Sequence, residues 1–349
     1  MRPVIFSALK WLTLSLALLV FTSCEELLLP DDSTATPMEI FDEAWTFADR
    51  EYAFFDFKKI DWDSVRNVYE PRISENMSDE ELFDVLADML YVLRDGHVNL
   101  VSDFDISRND TWYLNSPPNF SRDVLERGYF KEKQQFVGSF VVYDFGDVGY
   151  IRYESFVNPI AEEDLNYVLT KFADRKGIIV DVRNNGGGSL LNAINFARRF
   201  TTSEVTVGSW RFKNGTGHND FTELSDIQLS PATKPLFGDA ETPVTYTKPV
   251  VVLTNRSSYS AANFFPLYMK ALPNVTLVGD TTGGGGGAPA NTELANGWNI
   301  RVSSSQLFDP TGFNVEDGIP PDERVDLDPQ QALNRVDTML EKALELLRR

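Results

Sequence analysis

The chain has 349 residues and a formal net charge of −20, which would repel a phosphate backbone and excludes nucleic acid as a partner. One cysteine, Cys24, rules out a disulfide framework or a cysteine metal cluster, and two histidines, His97 and His218, rule out a histidine-rich metal site. With 42% hydrophobic, 24% charged and 12% aromatic residues, the composition is globular and leaves room for two domains.

Residues 1–24 read as an address. Arg2 and Lys10 flank an uncharged start, and residues 11–21 form an apolar run too short to span a bilayer. The run ends in Phe21-Thr22-Ser23-Cys24, which resembles a bacterial lipoprotein signal, where cleavage precedes the cysteine and the thiol is acylated. An ordinary signal peptide or short anchor with an incidental cysteine is the plain alternative. Glu25 and Glu26 follow, and residues 25–35 read as a tether. Acidic residues directly after the cysteine resemble the surface-export signal of some Bacteroidetes lipoproteins. The expected location is the cell envelope, anchored to the outer membrane and facing either the periplasm or the surface.

Residues 36–100 read as a helical domain. Thr36-Pro37-Met38-Glu39 is a capping box with proline at the first helical position. Ile40, Phe41, Ala44, Trp45, Ala48 and Tyr52 continue at helical spacing, and residues 62–73 form a second helix. Ser78-Asp79-Glu80-Glu81 opens a third, whose apolar side holds Leu82, Leu86, Met89, Leu90 and Leu93. It stops at Arg94-Asp95-Gly96, with Gly96 placed to cap it. His97 emerges beyond, at the boundary with a short alternating strand over residues 98–101. A lone histidine there is either structural or catalytic. Residues 101–136 read as a connector, without clear periodicity and too short for an intact accessory peptide-binding domain.

Residues 137–349 read as an α/β core. Residues 137–145 and 148–153 are strands joined by a hairpin at Gly146-Asp147, and residues 160–175 are helical. The apolar run 178–182 is a buried strand, followed by Arg183-Asn184-Asn185-Gly186-Gly187-Gly188 and a helix over 190–200. Such a glycine turn opens backbone N–H groups to an anion, or is merely tight; no Gly-Lys-Ser/Thr follows and no dinucleotide fingerprint fits. Residues 201–248 form a polar, strand-containing excursion in which His218 is a surface histidine. The run 250–253 is another strand buried on both faces, and a helix covers 261–271. Ser260 sits where that strand has ended and the helix begins, and it is either the helix N-cap or an exposed nucleophile beside free helix N–H groups. A strand over 275–278 and five glycines, 283–287, follow. Asn296-Gly297 joins a second hairpin, and Asp328-Pro329 caps one last amphipathic helix to residue 349, packed through Ala332, Leu333, Val336, Leu340, Leu344 and Leu347.

Five segments together resemble the S41 serine peptidases, the tail-specific and C-terminal processing proteases with their tricorn-like relatives. They are LRDGH at 93–97, DVRNNGGG at 181–188, LTNRSSYSAANFF at 253–265, LVGDTTGGGGG at 277–287 and VEDGIPPD at 315–322. The resemblance implies a crotonase-like α/β core and a nucleophile at Ser260. The processing-protease branch uses a lysine base, but that position falls at Gly285, and no lysine lies between Lys270 and Lys342. The tricorn-like branch uses a histidine, matching His97, with a glutamate that helps orient it, matching Glu316 at shortened spacing. The implied oxyanion donors are the backbone N–H groups of Ala261 and Gly187. No metal or cofactor is implied.

The expected function is a lipid-anchored serine endopeptidase acting on peptides or unfolded protein segments. A binding protein for peptides or apolar ligands is the alternative, since the same fold carries retinoids in the interphotoreceptor retinoid-binding proteins. A crotonase-type acyl-CoA enzyme rests on fold analogy only.

Overall fold

The computed structural model describes residues 35–109, 115–236 and 242–349; Cys24 and nearly all of the tether lie outside them. Both capping boxes form. Thr36 accepts the Glu39 N–H while the Glu39 carboxylate accepts the Thr36 N–H at 2.7 Å, opening α1 (Pro37–Glu51). Ser78 and Glu81 do the same for α4 (Asp79–Tyr91). Between them lie the single turn α2 (Phe55–Lys58) and α3 (Trp62–Tyr69), which tightens into a 3-10 turn over Glu70–Arg72 instead of running helical to Ile73. His97 leads into β1 (Asn99–Val101). The connector is more structured than its sequence suggests: Val124–Phe130 forms a π-helical turn that buries Val124, Leu125 and Phe130.

The core strands follow the apolar runs. An antiparallel meander of β2 (Gln135–Val137), β3 (Phe140–Asp144) and β4 (Val148–Tyr153) leads through α5 (Glu162–Lys171) to β5 (Gly177–Asp181) and α6 (Leu190–Ala197). The excursion holds β6 (Val205–Phe212) and β7 (Ser225–Leu229). Then come β8 (Val250–Thr254), α7 (Ala261–Lys270), β9 (Val275–Gly279), the hairpin β10 (Pro289–Glu293) and β11 (Asn299–Ser303), β12 (Ser305–Phe308) and β13 (Glu323–Arg324). The expected last helix is two, α8 (Pro329–Leu333) and α9 (Thr338–Arg348). Arg335 turns left-handed between them at φ 60°, and Asp337 caps α9 through the N–H groups of Met339 and Leu340. Leu333, expected inside, is 78% exposed.

The main sheet runs β13-β9-β8-β5-β4-β3-β2 and is parallel from β13 to β4. Strands β5 and β8 are buried on both faces, which is why they read as unbroken apolar runs. Ile178, Val180, Val250 and Val252 pack on one face with residues of α5, α6 and α7, while Ile179, Val251 and Leu253 pack on the other against Met339, Leu340 and Leu344 of α9. Because β5 and β8 are parallel neighbours, the loops leaving their carboxyl ends lie side by side, the place where open α/β sheets build sites.

The helical head does not close its core alone. Strand β1 pairs antiparallel with β11, and Leu294, Trp298, Ile300 and Val302 from the late hairpin fill the same apolar cluster as Phe41, Leu86 and Met89. This pairing carries His97 to the loops after β5 and β8.

Candidate active site

Ser260 occupies the junction between the β8 loop and α7 with φ 58° and ψ −121°. A non-glycine residue adopts such a backbone only where surrounding contacts enforce it, at a cost of about 1–3 kcal/mol. Here the Ser260 N–H donates to the Gly284 carbonyl at 3.0 Å and the Tyr259 N–H to the Asn185 carbonyl at 3.0 Å. The loop is further sewn to the glycine turn by Ser258 Oγ, which donates to the Val182 carbonyl at 2.8 Å, and by Asn255, which pairs with Asn184 through backbone and side chain. The Ser260 side chain makes no capping bond to α7. Ser260 is thus the N-cap residue by position, but its Oγ lies 2.9 Å from His97 Nε2 instead of capping the helix.

His97 is set by the turn after α4. The left-handed residue of that turn is Arg94, at φ 48°, and not Gly96. Asp95 braces the turn: its Oδ1 accepts the His97 backbone N–H at 2.9 Å. The imidazole packs on the Tyr259 ring, centroids 5.0 Å apart. Burial pushes its pKa down to about 4; the Asp95 carboxylate opposes this, while Arg301 and Lys58 lower it further. A neutral imidazole at hydrogen-bond distance from a serine hydroxyl can take its proton and later return it to a leaving group.

Glu316 does not touch the histidine. Its Oε1 lies 2.9 Å from Lys58 Nζ, and its Oε2 accepts the Gly286 N–H at 3.1 Å. Lys58 Nζ is in turn 3.9 Å from Asp95 Oδ2, so the route from Glu316 to His97 passes through Lys58 and Asp95. Two buried carboxylates thus share one ammonium. Burial, reinforced by Asp95, holds the Glu316 carboxyl up at about 8 despite Lys58. Asp95, although buried, is kept below its usual range by Lys58 and His97, and Lys58 keeps its charge through Glu316 and Asp95.

The glycine run threads between these groups because side chains do not fit. A Cβ on Gly284 would stand 1.7 Å from the Glu316 carbonyl oxygen, and one on Gly285 2.5 Å from the Tyr259 ring. The position where a lysine base would stand is therefore occupied by Tyr259.

Of the two expected oxyanion donors, the Ala261 N–H is open: it lies in the first turn of α7 and has no acceptor among the described residues. Gly187 does not, since its N–H donates to Asn185 Oδ1 at 2.9 Å inside the turn. Gly188, whose N–H has no acceptor among the described residues, lines the cleft on that side together with Gly186. The cleft encloses about 570 Å³ and is also lined by His97, Ser260, Arg108 and Arg301.

His218 stands apart. Its Nε2 lies 2.7 Å from Asp49 and its ring packs at a tilt against Phe55, 4.4 Å between centroids, so it is a half-buried residue under the head rather than a free surface one. Lys58 and Arg301 carried no motif and were invisible in sequence, whereas Asp95 was visible only as part of a helix stop. Among the described residues, no group of three His, Cys, Asp or Glu side chains is placed to hold a metal ion, and no helix is long and apolar enough to cross a membrane.

The sequence pattern of Peptidase family S41 matches residues 147–325. This chain belongs to peptidase family S41. The Tricorn protease C1 domain pattern matches residues 33–91, the helical head. Among S41 relatives, the chain is 29% identical over 206 residues to a carboxyl-terminal-processing protease of Synechocystis, covering 57% of this chain and 44% of that protein. It is 26% identical over 184 residues to the carboxy-terminal processing protease CtpA of Bacillus subtilis, covering 52% and 35%. The match thus spans less than half the length of either relative. A crystal structure of a candidate peptidase from Parabacteroides merdae superposes with a TM-score of 0.82 at 38% identity, covering 90% of this chain and 97% of that one. Mature CPAF shares the fold, with a TM-score of 0.64 at 14% identity over 89% of this chain and 97% of that one.

Proposed function

We propose that this chain is a serine endopeptidase that hydrolyses peptides or unfolded protein segments, tethered to the cell envelope through an acylated Cys24. The observation that carries the reading is the 2.9 Å contact between Ser260 Oγ and His97 Nε2, with Ser260 on a strained strand-to-helix turn. Membership of S41 and the named processing proteases support the reaction class.

Ser260 Oγ attacks the scissile carbonyl while His97 Nε2 accepts the hydroxyl proton. The oxyanion that forms is met by the Ala261 N–H, with the Gly188 N–H as the second donor. Losing one such donor typically costs about 3 kcal/mol of transition-state stabilisation. His97 then protonates the leaving amine, and water repeats the cycle on the acyl-enzyme. Lys58, Asp95 and Glu316 position the histidine turn and the glycine run rather than touching substrate. The test is a fluorophosphonate probe with mass readout. Adduct at Ser260, lost together with peptide hydrolysis in a folded Ser260→Ala, supports the reading; hydrolysis retained in purified Ser260→Ala overturns it.

A further inference from the structure

We propose that Tyr259 is a positioning residue for the base: its ring holds the His97 imidazole against Ser260, doing by packing what an orienting carboxylate does in a Ser-His-Asp triad. The role belongs to the same reaction and rests on the peptidase reading.

The need for such a residue follows from what does not touch the imidazole. In a triad, a carboxylate on the far ring nitrogen fixes the plane and tautomer of the histidine. Here Glu316 is engaged by Lys58 and the Gly286 N–H, and Asp95 accepts the His97 backbone N–H rather than meeting the ring. No side chain hydrogen-bonds the buried Nδ1, and the Gly287 backbone is the polar group beside the ring. The torsion that swings an imidazole is intrinsically soft. A contact to a serine hydroxyl, which itself rotates, does not stop that swing.

Tyr259 is placed to stop it. The two rings pack with centroids 5.0 Å apart, tilted by 52°. The tyrosine cannot easily give way. Its N–H donates to the Asn185 carbonyl at 3.0 Å, and its backbone bridges to Gly284. The glycine run leaves just enough room for its ring: a Cβ on Gly283 would stand 3.3 Å from Cδ2, and one on Gly285 2.5 Å from Cζ. Its hydroxyl lies 3.5 Å from Asp95 Oδ1, the oxygen that accepts the His97 N–H. One side chain thus touches the base, the turn that carries the base and the glycine run, and its own backbone continues into the nucleophile. With 6% of its surface exposed, Tyr259 also keeps water off the imidazole. The charged groups around that ring are Asp95 on its own turn, Lys58 of α2 with Glu316 behind it, and Arg301 of β11, while Arg108 lines the same cleft. Substituting Tyr259 removes none of these charges, so a moved acid limb reports hydration of the ring.

Tyr259→Ala, Tyr259→Leu and Tyr259→Phe are compared with the wild type on one flexible neutral peptide, each checked for native circular dichroism. Tyr259→Ala is expected to lose about a hundredfold in kcat with KM within about twofold, because a misplaced base harms the transition state more than binding. Its acid limb should rise towards the free-imidazole value of about 6.5. Tyr259→Phe, which keeps the ring, should restore most of kcat and the low limb. Tyr259→Leu keeps apolar bulk without the flat face, so it should lose kcat in the same way and decides the matter if Tyr259→Ala does not fold. In a His97→Ala background, read by the rate of fluorophosphonate labelling, Tyr259→Ala should cost less than about twofold more, since nothing is left to position. An undiminished kcat in the folded Ala or Leu variant, a loss seen in KM alone, a Phe variant as impaired as Ala, or a full further loss without His97 overturns the proposal while hydrolysis itself stands. If the wild type cuts no peptide and the fluorophosphonate leaves Ser260 unlabelled, the peptidase reading falls, and this inference falls with it.

Discussion

Lys58 and Glu316 meet at 2.9 Å across 258 positions of sequence, tying the helical head to the glycine run that holds the Ser260 N–H. Removing the cation leaves Asp95 and Glu316 buried together. Lys58→Met is therefore expected to lose about 3–5 kcal/mol of stability in urea unfolding, and to lower kcat in whatever fraction folds, because the Asp95 turn that carries His97 loses its brace. Glu316→Gln should be milder, because burial already disfavours the charged carboxyl and the amide oxygen can still accept the Gly286 N–H. A raised carboxyl pKa stabilises the fold fully below the unfolded value and loses that contribution as pH rises through the folded value. Relative to Glu316→Gln, the wild type should thus weaken steadily between about pH 4.5 and pH 8. Parallel stability curves for the two proteins would remove the neutral carboxyl from the account.

Gly285 has φ 75° and faces the Tyr259 ring, so Gly285→Ala combines backbone strain with a contact the ring cannot accept. The expected loss is at least about 1–3 kcal/mol, seen as a lower thermal midpoint. Gly285→Lys should not create a serine–lysine pair: in a His97→Ala background it is expected to restore no probe labelling. Restored labelling would show that the Tyr259 ring yields its place.

The sequence showed the candidate pair better than the groups around it. Ser260, His97 and the buried strands β5 and β8 were legible because each sits in a short local pattern: an apolar run, a turn, and a reactive residue at the boundary. The Lys58–Asp95–Glu316 cluster was not, since nothing local distinguishes a lysine in Phe55–Lys58 that ends up under the site from an ordinary exposed one. Arg301 was hidden for the same reason, its place in the cleft set by a β1–β11 pairing between segments about 200 residues apart. The Gly187 assignment failed on a single side chain, because Asn185 Oδ1 takes the N–H that a motif alone leaves open. The split of the last helix turned on Asp337, a second cap inside a stretch whose apolar spacing continued through it.

The anchor can be tested separately from the chemistry. Cys24→Ser is expected to abolish incorporation of a palmitate analogue and to shift the protein out of the membrane fraction, since acylation needs the thiol. Peptidase activity of the released protein on a short soluble peptide should be unchanged. Label that survives the substitution rules out lipidation at Cys24.

In the proposed mechanism, His97 sets the pH dependence. A free imidazole titrates near 6.5, but burial brings this one to about 4, with Arg301 and Lys58 pushing the same way and Asp95 against it. Only the neutral ring accepts the Ser260 proton, so kcat/KM should fall as the ring is protonated. The acid limb of the free enzyme is therefore expected well below neutrality, near pH 4, and activity should be level from about pH 6 upward until another group intervenes. Arg301→Gln removes one of the lowering charges and should move that limb towards neutrality, whereas Asp95→Asn should move it further down. His97→Ala should lose most turnover with little change in peptide binding to the folded protein, because the base acts on the transition state. His218→Ala, which breaks only the pair with Asp49, should keep both the rate and the profile. The measurement is kcat/KM on a flexible neutral peptide from pH 3.5 to 9, with circular dichroism at each pH to separate titration from unfolding. An acid limb near 6.5 in a protein that stays folded means that the ring is more hydrated than its buried position implies. Comparable activity in wild type and His97→Ala would remove His97 as the base.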